Sequence, residues 1–153
     1  MNDRYLFKAK KKNWQELPKD EQWVQGYLFD DGFENGRMFV GGLVVEKYTG
    51  TACDDWTVTG INFYEIDPNT ICQCTGLKDK NGELIWENDI VRDKEGNCYK
   101  AFWQNNYYQF SWICVKSDIF QIGTKWDLYI WRSYEIAVIG NTFDNPELLE
   151  SEE

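Results

Sequence analysis

Apolar and polar residues alternate along most of this chain, and clusters of turn residues interrupt the alternation often. Gln22 to Phe29 (QWVQGYLF) reads as a strand with Trp23, Gln25, Tyr27 and Phe29 on one face, ended by Asp30-Asp31-Gly32. Asn35-Gly36 and Gly41-Gly42 bracket a short run, Arg37 to Val40, and Leu43 to Thr49 follows, so this stretch predicts a β-meander. Trp56 to Ile66 (WTVTGINFYEI) is the longest strand pattern, with Gly60 marking a bulge or a close backbone approach. Asp67-Pro68-Asn69 then turns the chain back, which makes Thr70 to Thr75 the expected hairpin partner of that strand.

A second block starts near Gly76, so the chain is expected to divide near Thr75 into subdomains 1–75 and 76–153. Short strand patterns over Glu83–Trp86, Ile90–Arg92, Cys98–Trp103, Tyr107–Val115, Asp127–Trp131 and Tyr134–Ile139 are separated by polar turns. That spacing predicts a small barrel or a sandwich. In the strand after Gln104-Asn105-Asn106, Tyr108, Phe110, Trp112 and Cys114 face one way and Tyr107, Gln109 and Ser111 the other. Helix has few places to form: Asn145 can cap, Pro146 suits a first helical position and Glu147 suits a helix N-terminus, which predicts a short C-terminal helix before an acidic tail. Pro18 makes a loop of Asn13 to Gln22.

Composition removes most catalytic chemistries. The 153 residues include 16 Lys plus Arg against 26 Asp plus Glu, a net charge of −10, and no histidine. Without histidine, Ser-His-Asp, Cys-His and His-metal centres cannot be assembled from this chain. Phosphate-cradling glycine loops, the dinucleotide fingerprint and the nucleophile elbow are likewise missing from the sequence, so an enzyme is not expected. Five cysteines at irregular spacing read as reduced thiols, and no apolar run is long enough for a signal peptide or a membrane helix. A cytoplasmic location without membrane contact follows as the expectation.

Four constellations carry candidate chemistry. Cys72 and Cys74, with Cys98 or Cys114, would make a thiolate zinc site, but all four lie inside apolar strand patterns and read better as small buried hydrophobes; no metal and no cofactor is expected. Leu77 to Asn88 (LKDKNGELIWEN) imitates a calcium loop at Asp79, Asn81, Gly82 and Leu84, yet both terminal ligand positions fail, which leaves a β-turn whose Asn81-Gly82 supplies positive φ. Carboxylate pairs beside turn residues, such as Asp54-Asp55 and Glu87 with Asp89, read as solvated acids. The chain is also 17% aromatic, and Trp103, Tyr107, Tyr108, Trp112, Trp126 and Trp131 are candidates for an interface, against the alternative that they fill a barrel interior. Single-stranded nucleic acid is a conceivable partner of such rings, but a charge of −10 opposes phosphate; an acidic inhibitor of a host enzyme is the other alternative.

Cys74 to Val91 (CTGLKDKNGELIWENDIV) resembles the signature stretch of YopX-like phage and prophage proteins, a TGL-x-D-x-NG turn followed by an acidic-DIV strand. Trp23 to Leu28 (WVQGYL) and Val138 to Leu149 (VIGNTFDNPELL) resemble the opening and closing segments of that family, and Ile66 to Thr75 leads into the signature as its hairpin does. The resemblance implies a mostly β fold with an SH3-like C-terminal barrel, carried by bacteriophages or integrated prophages. It brings no catalytic residue. The signature positions Gly76, Leu77, Asp79, Gly82 and Asp89 have a structural reading, in which the glycines permit special backbone angles and the acids brace turns. The expected role is a binding or homo-oligomeric assembly module, with a host or phage protein as further partner.

Overall fold

The structure, a computed structural model, describes residues 3–34, 36–48, 55–128 and 135–149, and it omits the side chains of 46–48 and 55–57. It is mainly β, and every strand pairing described is antiparallel. Two compact units form: Tyr5–Ile71, and Cys72–Glu153 together with Met1–Arg4.

In the first unit β1 (Phe7–Lys10), β2 (Trp23–Asp30), β3 (Met38–Tyr48) and β4 (Asp55–Glu65) lie side by side in that order. One face holds the core, where Ala9, Val40 and Ile66 are buried and Phe7, Val24, Leu28, Met38 and Ile71 pack around them. Strand β1 is not signalled by the sequence pattern because Lys8 and Lys10 flank its one small apolar residue, Ala9. Lys10 is nevertheless buried, with its ammonium 2.9 Å from Gln22 Oε1 and 4.0 Å from the centre of the Trp14 ring. Cation–π attraction and a charge-assisted hydrogen bond offset part of its desolvation.

Two expectations are corrected here. Gly41-Gly42 does not break the meander: β3 runs continuously through it, because a side chain at Gly41 would collide with the Asn62 carbonyl on β4 and glycine alone permits that approach. Thr70 to Thr75 is not the hairpin partner of β4 either. Asp67 caps a single 3-10 turn, Pro68–Thr70, by accepting the Asn69 N–H, and β5 (Cys72–Lys78) pairs instead with β6 (Leu84–Trp86). The expected irregularity near Gly60 is present, as the β3–β4 register shifts between Val44 opposite Gly60 and Val45 opposite Val58. Pro18 separates two 3-10 turns, Trp14–Glu16 and Lys19–Glu21.

The second unit adds β7 (Asp89–Arg92), β8 (Cys98–Gln104), β9 (Gln109–Lys116), β10 (Lys125–Asp127) and β11 (Ala137–Asn141), in the order β10-β9-β8-β7-β11. Among the described residues β10 and β11 do not pair, so this is an open sheet and not a closed barrel. Its core is Val91, Tyr99, Ala101, Trp112, Cys114 and Ile136, with Ile85 from β6 and Leu77 from β5 packed on it. The C-terminal helix is one 3-10 turn, Pro146–Leu149; four residues are too few for α-helical hydrogen bonding to propagate.

Candidate functional site

The signature residues build an internal brace. Asp79 and Glu83 close a hairpin through Asp79 N–H to the Glu83 carbonyl (2.8 Å), and the Gly82 N–H returns to the Asp79 carbonyl (3.0 Å). This is a three-residue loop with its last residue left-handed, at Gly82 (φ 84°) and not at Asn81. The Asp79 carboxylate is buried and accepts the backbone N–H groups of Asn81 (2.8 Å), Glu83 (3.0 Å) and Val138 (2.9 Å). Burial alone would raise its pKa; these donors outweigh burial and hold it below the usual carboxylate range.

The same turn recurs 14 residues later, at Asp93-Lys94-Glu95-Gly96. Asp93 accepts from Asn97 N–H (2.9 Å), Asn97 Nδ2 (2.9 Å) and the buried Tyr99 hydroxyl (2.9 Å), and Gly96 has φ 92°. Burial, followed by the hydrogen bond to Asp93, drives the Tyr99 hydroxyl strongly upward. Asp89 completes the set by accepting the Trp86 N–H at 2.9 Å. Sequence reasoning overlooked Asp93; the repeated D-K-x-G spacing was its signal. Gly76 is left-handed (φ 82°) beside the Arg4 side chain, and Leu77 packs on the core. These carboxylates spend their lone pairs on the chain's own donors, which is the chemistry of a scaffold.

The four cysteines within the described residues, Cys72, Cys74, Cys98 and Cys114, are buried thiols outside any disulfide. Burial pushes the Cys98 and Cys114 thiols above their usual range. Among the described residues, no group of three or more His, Cys, Asp or Glu side chains gathers as metal ligands.

The aromatic candidates separate by exposure. Trp112 is fully buried, its indole N–H directed to the Leu128 carbonyl at 3.3 Å, and Trp126 is half-buried against the same core. The core therefore claims Trp112 whole. Trp103, Tyr107 and Tyr108 reach solvent, at 38%, 68% and 82% exposure. Trp131 lies outside the described residues. Tyr108 has φ 53° and is the last of four turn residues, one position later than Gly82 and Gly96 in their three-residue loops.

A larger apolar surface sits on the first unit. On the face of β2, β3 and β4 opposite their core, Phe29, Phe39, Leu43, Ile61 and Phe63 line an open hollow of about 460 Å³, with Phe29 and Phe63 in edge contact at 5.0 Å. Leu43 and Ile61 are 63% and 68% exposed. The period-2 alternation of β2 separates Tyr27 and Phe29 from Val24 and Leu28 in sequence, but only the fold shows that the aromatic side is the uncovered one.

Comparison with known proteins adds a family and a fold. The sequence model described as "YopX protein" matches residues 43–150. The crystal structure of protein EF1440 from Enterococcus faecalis superimposes with a TM-score of 0.52 at 23% identity, covering 94% of this chain and 96% of that one. That likeness extends to the fold. No curated protein matches the chain.

Proposed function

Given that this chain belongs to the YopX protein family, we propose that it is a phage- or prophage-borne binding module of the bacterial cytoplasm, one that acts by self-association and not by catalysis. The observation that carries this reading is the apolar face of β2, β3 and β4. Among the described residues β2 pairs with β3 over Met38–Gly41 alone, so the rest of β3 and its partner in β4 continue as a two-stranded ribbon. A two-stranded ribbon is marginal in water by itself, and this one carries Leu43, Val44, Val45, Val58 and Ile61 exposed.

The edge of that sheet points the same way. Strand β4 is its outermost strand within the unit, and from Trp56 to Tyr64 it contains neither a charge nor a proline. Natural edges usually carry charges, prolines or bulges against pairing with another chain, and of these β4 has the bulge beside Gly60. Burying a Leu or Ile side chain is worth about 1.5–3 kcal/mol, so a few such residues per copy suffice to favour association. The buried aspartates support a structural role, since backbone and side-chain donors of the chain itself occupy them.

Sedimentation velocity tests the reading. The wild-type chain is expected to sediment as an oligomer at micromolar concentration, and Leu43→Lys/Ile61→Lys as a monomer with an unchanged circular dichroism spectrum. A strictly monomeric wild type at the highest attainable concentration would overturn it.

A further inference from the structure

We propose that two copies of this chain join edge to edge along β3, antiparallel about a twofold axis at Val45, so that their β3–β4 ribbons become one sheet. This rests on the self-association argued above and names the seam through which it occurs. All of the residues involved belong to the first unit.

Backbone polarity fixes which side of β3 is available. Just before β3 the Arg37 carbonyl accepts the Asp31 N–H (3.2 Å), towards β2, whereas the Met38 carbonyl accepts the Ile66 N–H (3.0 Å), towards β4. Hydrogen-bonding groups alternate in direction along a strand, so odd-numbered residues of β3 face β2 and even-numbered ones face β4. The Val44 carbonyl follows this rule and accepts the Thr59 hydroxyl at 3.3 Å from the β4 side. Leu43, Val45 and Lys47 therefore direct their backbone N–H and C=O groups to where β2 would lie. Among the described residues β2 supplies β3 with no partner past Gly41. An open hollow of about 330 Å³ occupies that place, with Gln25 and Gly26 on one side and Gly42, Leu43 and Val44 on the other.

The two edges of the ribbon are not equal. The register shift between Val44 and Val45 puts the extra residue, Thr59, into β4, and a bulge there disturbs any ladder built on that edge. Strand β3 passes the same point without an inserted residue, so its edge is the one a further strand can follow. Its length sets the register. The run beyond the last β2 pair is 42–48, and Val45 is its midpoint. An antiparallel pairing that uses all of it sets Val45 opposite Val45, Leu43 opposite the partner's Lys47 and Val44 opposite the partner's Glu46. Leu43, Val45 and Lys47 then fall in the hydrogen-bonded pairs, as their backbone direction requires.

Charge and stability select a second copy as the occupant. In this register Glu46 and Lys47 each fall opposite an apolar residue, so no like charges are directly opposed. A twofold axis normal to the sheet keeps the same face outward in both copies. Leu43 with Ile61 and Val45 with Val58, which are paired across β3 and β4, therefore continue from one copy into the next as one apolar surface. A two-stranded ribbon, marginal in water, becomes a sheet of four strands.

Proline at position 45 tests the seam, since it deletes an N–H that points away from β4 and leaves the β3–β4 ladder intact. In sedimentation velocity Val45→Pro is expected to weaken association about thirtyfold, the loss of one hydrogen bond from each copy, with an unchanged circular dichroism spectrum. In a Cys53→Ser background, Val45→Cys is expected to form an intersubunit disulfide under mild oxidation, because the paired Cα atoms would lie about 5.5 Å apart. Val58→Cys, about 14 Å from its counterpart three strands away, is expected not to. The cross-link decides the question if Val45→Pro fails to fold. An associating wild type overturns the seam, and leaves self-association standing, if Val45→Cys stays uncross-linked, if folded Val45→Pro associates undiminished, or if Val58→Cys cross-links instead. A wild type that stays monomeric overturns both.

Discussion

Asp79 shows how much a single acid can hold together. Its carboxylate ties the β5–β6 turn to the start of β11 through the Val138 N–H, across 59 residues of sequence. A group whose pKa is lower in the folded than in the unfolded state stabilises above its unfolded value, and that contribution is lost as pH falls through the folded one. Replacing Asp79 by Asn places an amide where an acceptor is needed, and the expected cost at neutral pH is about 1–3 kcal/mol. Urea titrations at pH 7 and pH 3 check the sign, since the gap between wild type and Asp79→Asn must narrow in acid. The sequence marks Asp79 as a turn acid; it gives no sign of the Val138 contact, which exists only once β11 is in place. Asp93 was open to recognition by its matching spacing to Gly96, because the turn geometry is local.

Elements divide along the same line. Strands that alternate and end in turn residues, such as β2, β8 and β9, are legible from period and punctuation, since one face meets a core and the other does not. Strand β1 escapes because its burial depends on Lys10 settling against Trp14 and Gln22, which lie beyond the end of the strand where its period-two pattern does not reach. The glycine pair in β3 misleads for a related reason: glycine marks both turns and close strand contacts, and only the neighbouring Asn62 distinguishes them. The β8–β9 turn carries its own expectation. Left-handed geometry costs a side-chain-bearing residue about 1–2 kcal/mol relative to glycine, and the Tyr108 ring is 82% exposed. Tyr108→Gly is therefore expected to raise the melting temperature by a few degrees, read by differential scanning calorimetry.

For the whole molecule, charge and assembly pull against each other. At −10 each copy repels the next at range, and added salt screens that repulsion without weakening apolar contact. Association is therefore expected to tighten between 20 mM and 200 mM sodium chloride in sedimentation equilibrium. Binding to nucleic acid would weaken over the same interval as counterion release loses its drive, so the slope's sign separates the two roles. The family was legible at this scale from the Cys74–Val91 stretch, whereas the uncovered side of the first sheet was not, because which face finds a core depends on every other element.

The four inward-facing thiols all fall within one unit, Cys72–Glu153. In a Cys53→Ser background, alkylation by a maleimide dye becomes a clock for the opening of that unit alone, since sulfur shielded from water reacts only when its surroundings part. The expected trace is slow labelling under native conditions that accelerates with urea; prompt labelling in buffer would mean that this half of the chain breathes far more than its packing suggests.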